Sequence, residues 1–197
     1  GLPAKAGAIE MSSRSYPVPV KSIVFVGMMG AGKSAIGRRV AKRLNLDFMD
    51  ADNEIESAAG CSIPDIFERH GEEAFRDGER RVILRLLEGK VKVIATGGGA
   101  FMNEQTRAAI KELSVSVWLR ADFETLWRRV SRRDNRPMLK TSDPRGTLKK
   151  LIDERYPTYS GADLTVESTD GPRDATVDWV IDALEAYWRD REAPQDD

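Results

Sequence analysis

"SIVFVGMMGAGKSAIGRRVAKRL", residues 22–44, joins an apolar run to a helix-patterned run through a loop with glycine at positions 27, 30 and 32. A short, almost wholly apolar run predicts a strand buried on both faces, as in a parallel sheet. The loop fits G-x-x-x-x-G-K-[ST], with Gly27, Gly32, Lys33 and Ser34 in register. Its glycines let the backbone curl so that N–H groups point inward. The following helix adds the positive end of its dipole. In such a loop the lysine meets the β- and γ-phosphates and the hydroxyl can ligate Mg²⁺. A glycine-rich turn with an incidental lysine has no need of a strand before it and a helix after it. The segment therefore predicts a cradle for a nucleoside triphosphate.

Outward from this loop, strand-like runs alternate with amphipathic ones. The further expected strands are 47–50 (DFMD), 92–96 (KVIAT), 114–119 (SVSVWL) and 163–168 (DLTVES). Val177, Val180, Ile181, Leu184 and Trp188 recur on one helical face. Pro144, after Asp143, and Pro172, after Gly171, stand where helices can begin. This alternation predicts an α/β fold, an open sheet with helices on both faces. Ligands of such sheets lie beyond the carboxyl ends of the strands.

Composition limits the function classes. The chain has 197 residues, 31 Lys plus Arg against 32 Asp plus Glu, and a formal net charge of −1. That length suits one domain, and that balance argues against a general nucleic-acid binder. No apolar run is long enough to span a bilayer. One cysteine, Cys61, forbids an intramolecular disulfide and suits a reducing cytoplasm. One histidine leaves little room for a histidine-based triad or metal site. Residues 1–20 carry no sustained period and no long apolar stretch, so a disordered arm rather than a secretory signal is expected there. A polar tail is expected over 190–197.

The other strand ends carry the remaining candidates. After the second strand, Asp50 and Asp52 stand two apart and would point the same way on an extended segment. Near a Mg–ATP site, one carboxylate can orient metal-bound water and the other can accept a hydroxyl proton. The plainer alternative makes Asp52 the N-cap of the helix that follows. After the third strand, Gly97, Gly98 and Gly99 suggest close approach of backbone to a ligand. Arg76 follows Phe75 at the start of a helix, and Glu79 lies three residues on, able to hold its guanidinium. Arg155 stands just before Pro157, which should stop its helix. Two converging arginines would grip a carboxylate, but spacing alone leaves convergence open. Residues 127–136 carry five arginines, and periodicity is lost until Asp143. This reads as a basic helix face with a loop, or as a lid whose Arg136 reaches the transferring phosphoryl group.

Taken together, "GMMGAGKSAIGRRVA", "DADNEIE", "SIPDIFERHGEEAFR", "TGGGA", "RRVSRRDNRPML" and "ERYPTYSGAD" resemble the shikimate kinase family. The order and spacing of these motifs, from about Ile23 to about Val166, make the resemblance specific. It implies a three-layer P-loop kinase fold of the nucleoside-monophosphate-kinase-like branch, with a five-stranded parallel sheet in the order 2-3-1-4-5. A single domain over 21–189 would hold a substrate-binding region at about 52–88 and a lid at about 131–143. The implied reaction is transfer from ATP to the 3-hydroxyl of shikimate, giving ADP and shikimate 3-phosphate, a step toward aromatic amino acids.

The implied ATP site comprises Gly27, Gly30, Ala31, Gly32, Lys33, Ser34 and Ala35, with Arg129 against adenine and Arg136 on the phosphates. The implied substrate site comprises Asp52, Arg76, Glu79, Gly97, Gly98, Gly99 and Arg155. Lys33, Asp52 and Arg136 would be catalytic, and Ser34 and Asp50 would serve Mg²⁺. A cytoplasmic monomer, bound to neither nucleic acid nor membrane, is expected. Ala35 replaces the usual threonine, which removes one hydroxyl near the phosphates and leaves the backbone N–H. Rival readings are gluconate kinase, against which the Asp pair and the triple glycine argue, and a non-catalytic ATP-dependent binding module.

Overall fold

The computed structural model describes residues 19–132 and 140–192. Most of the expected arm, most of the expected lid including Arg136, and the last five residues lie outside the described residues. Five strands form one sheet: β1 (Ser22–Val26), β2 (Asp47–Asp50), β3 (Lys92–Ala95), β4 (Ser114–Arg120) and β5 (Leu164–Glu167). All neighbours are parallel and the order is β2-β3-β1-β4-β5. The expected order holds, and each expected strand is found within a residue at either end.

Burial follows position in the sheet. Every residue of β1 is buried, and β4 is buried up to its last residue. The edge strands β2 and β5 have four residues each and are half-exposed, as short edges usually are. Helices α1 (Lys33–Leu44), α2 (Ala51–Ala59), α3 (Ile63–Leu87), α4 (Glu104–Leu113), α5 (Phe123–Val130), α6 (Pro144–Tyr159) and α7 (Arg173–Glu192) connect and cover the strands. In α7 the residues Val177, Val180, Ile181, Leu184 and Trp188 are at most 9% exposed, which is the face their spacing predicts. Trp179, by contrast, points outward.

Local chemistry sets several boundaries. Ser62, Asn103, Asp122 and Asp143 cap α3, α4, α5 and α6, each accepting a backbone N–H from the first turn. Within α3, Gly71 adopts φ 84° and ψ 174°, so the element is two helical segments meeting at a kink. Arg76 and Glu79 lie on the second segment, near its start. Pro157 does not stop α6, contrary to the sequence expectation; the helix runs on to Tyr159. The proline falls in the last turn, and the carbonyl it leaves without an N–H belongs to Asp153, which is exposed to water.

The parallel register brings the strand ends to one side. Asp50 pairs with Ala95, and Ala95 with Phe25. One residue on, the Thr96 hydroxyl donates to the Phe25 carbonyl at 2.8 Å, and the Thr96 N–H donates to the same oxygen. This closes the ladder where the triple glycine begins.

Candidate active site

A cleft of about 710 Å³ opens at the carboxyl ends of the strands. Residues 29–36 of the phosphate loop, Asp50, Asp52, Gly97, Gly98, Arg129, the segment 168–171 and Arg173 all contribute to its walls. Gly27 begins the loop at φ 143°, and a Cβ there would lie 2.7 Å from the Leu119 carbonyl, so the turn admits only glycine. Gly32 precedes α1 and supplies no side-chain cap, which leaves the first helical N–H groups to a ligand. The Lys33 Nζ donates to the carbonyls of Gly27 at 2.5 Å and Met28 at 3.0 Å, inside the curl. Ala35 lines the same wall.

The acidic pair is arranged differently from an extended D-x-D. Asp50 ends β2 and is itself the N-cap of α2, accepting from the N–H groups of Asp52 and Asn53 at 3.0 and 3.3 Å. Its other oxygen accepts the Ser34 hydroxyl at 2.6 Å, tying the second strand end to the phosphate loop. Asp52 lies in the first helical turn, so the reading that made it the cap is wrong: capping falls to Asp50, and the Asp52 carboxylate is spared for another task. Its Oδ1 is buried and has no hydrogen-bond partner among the described residues. Burial, reinforced by the charge of Asp50, pushes its carboxyl above the ordinary range, while Lys33 and Arg76 pull the other way. A buried acceptor without a donor is what a bound hydroxyl would satisfy.

The triple glycine has a specific geometric use. A Cβ on Gly97 would lie 2.8 Å from Asp52 Oδ1, one on Gly98 3.1 Å from Arg155 Nη1, and one on Gly99 2.4–2.7 Å from the Arg76 guanidinium. Each absent methyl leaves room for one of three polar side chains, which come from α2, α6 and α3. The turn thus brings together the residues whose convergence spacing could not show. Gly99→Ala should leave stability nearly unchanged, because the group it meets is the far end of a flexible arginine. Displacing that guanidinium should weaken capture of the acceptor by about tenfold, the worth of one charge-assisted bond; an unaltered acceptor KM would refute this.

The two arginines differ electrostatically. Arg76 donates to Glu79 at 2.9 Å and lies 3.9 Å from Glu72. Glu79 is 1% exposed, and burial raises its carboxyl while Arg76 opposes the shift. Arg155 is 7% exposed and has no carboxylate within ion-pair reach among the described residues. Its Nη1 instead meets the Met28 sulfur at 3.8 Å. A buried guanidinium without an anion is suited to receive one.

Arg129 is held at the other end of the cleft, donating to Gly30 and Thr169 carbonyls and to the Ser168 hydroxyl at 2.7–3.0 Å. Ser168 in turn donates to the Ala31 carbonyl at 2.7 Å. This segment after β5 was missed in the sequence; Gly171-Pro172 was read only as a helix start, although the rule that ligands gather at strand ends pointed to it. Arg132 also lines the cleft. Next to Arg76 in sequence, Phe75 packs at a tilt against Phe67, ring centroids 4.6 Å apart, and Phe67 remains 37% exposed.

Comparison with known proteins identifies the family. The family model described as Shikimate kinase matches residues 29–185. The chain is 59% identical over 175 residues to a shikimate kinase of Bradyrhizobium diazoefficiens, an alignment covering 89% of this chain and 84% of that relative. It is 58% identical over 167 residues to the Rhodopseudomonas palustris shikimate kinase, covering 85% and 82%. Among solved structures, the shikimate kinase from Acinetobacter baumannii in complex with shikimate superposes with a TM-score of 0.82 at 35% identity, covering 86% of this chain and 96% of that one. By phosphate loop, strand-end carboxylates, glycine turn and sequence likeness alike, the chain belongs to the shikimate kinase family.

Proposed function

We propose that this chain performs the family's reaction, ATP plus shikimate to ADP plus shikimate 3-phosphate, with residues in and beside the cleft in the roles that follow. The activity itself, a step of aromatic biosynthesis, follows from family membership. The observation that carries the assignment of roles is the meeting of Asp52, Arg76 and Arg155 over three successive glycines, next to a phosphate loop.

Lys33 and the N–H groups of residues 30–35 hold the β- and γ-phosphates and absorb charge that develops on the leaving oxygen. Arg129 with segment 168–171 borders the adenine. Arg76 and Arg155 grip the shikimate carboxylate, Glu79 keeps Arg76 in position, and the backbone of Gly97 to Gly99 faces the ring. Asp52 Oδ1 accepts the hydrogen bond of the attacking 3-hydroxyl. It aligns that oxygen with the γ-phosphorus and takes the proton as the new P–O bond completes. A loose transition state requires alignment more than early deprotonation. Arg136, on the strength of the resemblance alone, joins the phosphates from a lid over 131–143.

The donor set fits Mg²⁺. Ser34 Oγ and Asp50 Oδ2 are hard oxygen donors 2.6 Å apart at the phosphate end. No cluster of three or more His, Cys, Asp or Glu suited to a metal occurs among the described residues. Mg²⁺ commonly relies on one or two carboxylates plus substrate phosphates, which suits this site. Ser34 and Asp50 would hold the ion, which would neutralise negative charge on the phosphates during transfer.

The working unit proposed here is a monomer. No helix among the described residues is long and apolar enough to cross a membrane. The single cysteine supports a cytoplasmic setting.

A coupled assay of ADP release tests the proposal with ATP alone, with shikimate and with gluconate. Shikimate should drive turnover, and gluconate should leave release at the level of ATP alone. Equal release in all three would leave a nucleotide-binding module and sink the proposed role of the clamp.

A further inference from the structure

Tyr159 takes no part in the roles above, yet it touches both the glycine turn and the phosphate loop. It is 0% exposed and lies four residues after Arg155 on α6, so the two side chains share a face. Its hydroxyl donates to the Gly98 carbonyl and lies 4.0 Å from the Met28 sulfur. Gly98 is the residue whose missing Cβ makes room for Arg155 Nη1, and Met28 supplies the sulfur against which that same nitrogen rests. A thioether is a weak acceptor, so it cannot hold a guanidinium by itself. With no carboxylate partner among the described residues, Arg155 is held by the walls of its slot and by its hydrogen bond to the Tyr159 oxygen, and the Tyr159 hydroxyl fastens those walls to the helix that carries the arginine. Burial pushes the phenol up to about 12 against the opposing charge and hydrogen bond of Arg155, so the donor persists at ordinary pH.

A core-filling role would need only the ring. That ring already packs near Phe101, Trp118 and Tyr156, with centroids 5.7–6.4 Å away, and phenylalanine would fill the same space. The hydroxyl is the part that volume does not explain.

We infer that Tyr159 is a positioning residue for the carboxylate clamp, its hydroxyl locking the Gly98 turn at the distance from Arg155 that admits the acceptor's carboxylate. The inference rests on the clamp reading above. Losing one buried hydrogen bond should loosen the slot without touching the nucleotide wall.

Three variants test it: Tyr159→Phe, Arg155→Met, and Val180→Ala as a core truncation on α7. Each is measured for shikimate KM, ATP KM, kcat and thermal midpoint. Tyr159→Phe should raise shikimate KM about tenfold, the effect of one lost hydrogen bond. Its ATP KM should stay within about twofold, and Val180→Ala should lower the midpoint without that selective rise. An unchanged shikimate KM in Tyr159→Phe, with a raised one in Arg155→Met, overturns the inference and leaves the clamp intact. If Arg155→Met also leaves shikimate KM unchanged, the clamp reading falls and the inference with it. A change in Tyr159→Phe that Val180→Ala reproduces at equal midpoint makes the hydroxyl merely structural and likewise overturns the proposal.

Discussion

Asp52→Asn lowers kcat by about 10² to 10⁴-fold, the range for a positioned proton acceptor, while ATP binding survives and the thermal midpoint rises. The first effect follows from geometry. Asp52 Oδ1 is a buried acceptor without a partner among the described residues, and the amide of asparagine can neither take the proton nor present the same charge to the hydroxyl. The phosphate loop is untouched, because Asp50, not Asp52, bonds Ser34. The second effect follows from the direction of the carboxyl's shift. Its pKa in the folded chain is raised above the unfolded value, chiefly by burial. Between those two values the folded state binds more protons than the unfolded one, so stability is lost as pH rises through the window. At neutral pH the ionised group therefore destabilises the fold, and the neutral amide removes that penalty. Each kcal/mol recovered corresponds to about 2–4 °C for a chain of this size. The same shift places the acid limb of wild-type turnover above the ordinary carboxylate range. Titration calorimetry with a non-hydrolysable ATP analogue, kcat and thermal melts between pH 5 and 8 check all parts. Turnover near the wild-type rate would remove Asp52 from the reaction, and a lowered midpoint would refute the account of its charge.

Replacing either arginine of the clamp raises shikimate KM, but only one replacement destabilises the chain. Truncating one partner of a buried charge pair costs about 2 to 5 kcal/mol, which is roughly 30-fold or more in affinity. Arg155→Met should show that loss with little change in midpoint, because the arginine has no carboxylate to abandon among the described residues. Arg76→Met leaves Glu79, 1% exposed, without its cation. The Glu79 carboxyl, already raised by burial and lowered by Arg76, then rises further. Stability of that variant should fall more steeply than wild type as pH increases through the higher value. Adding Glu79→Gln should restore the midpoint and leave KM high. Shikimate methyl ester provides the converse test: wild type should discriminate strongly against it, and Arg155→Met should discriminate much less. Equal discrimination by both would show that Arg155 does not meet the carboxylate.

Much of this molecule could be read from residue order. The apolar run 22–26 could only be an interior strand, and "GMMGAGKS" after it could only curl its amides around phosphate, because these depend on local backbone chemistry and on immediate neighbours. The face of α7 was likewise written in its 3.6-residue period. Which carboxylate caps and which stays available was not legible, since either Asp50 or Asp52 satisfies the local rule, and the Ser34 hydroxyl that captures Asp50 arrives from another strand. Nor could spacing show that Gly97, Gly98 and Gly99 face Asp52, Arg155 and Arg76, because those contacts join residues as far as 57 positions apart. The continuation of α6 through Pro157 and the role of segment 168–171 were hidden for a similar reason. A sequence sets the conformations its own neighbours favour; which side chains share a cleft, and how strongly burial shifts their charges, is settled only when distant strands end side by side.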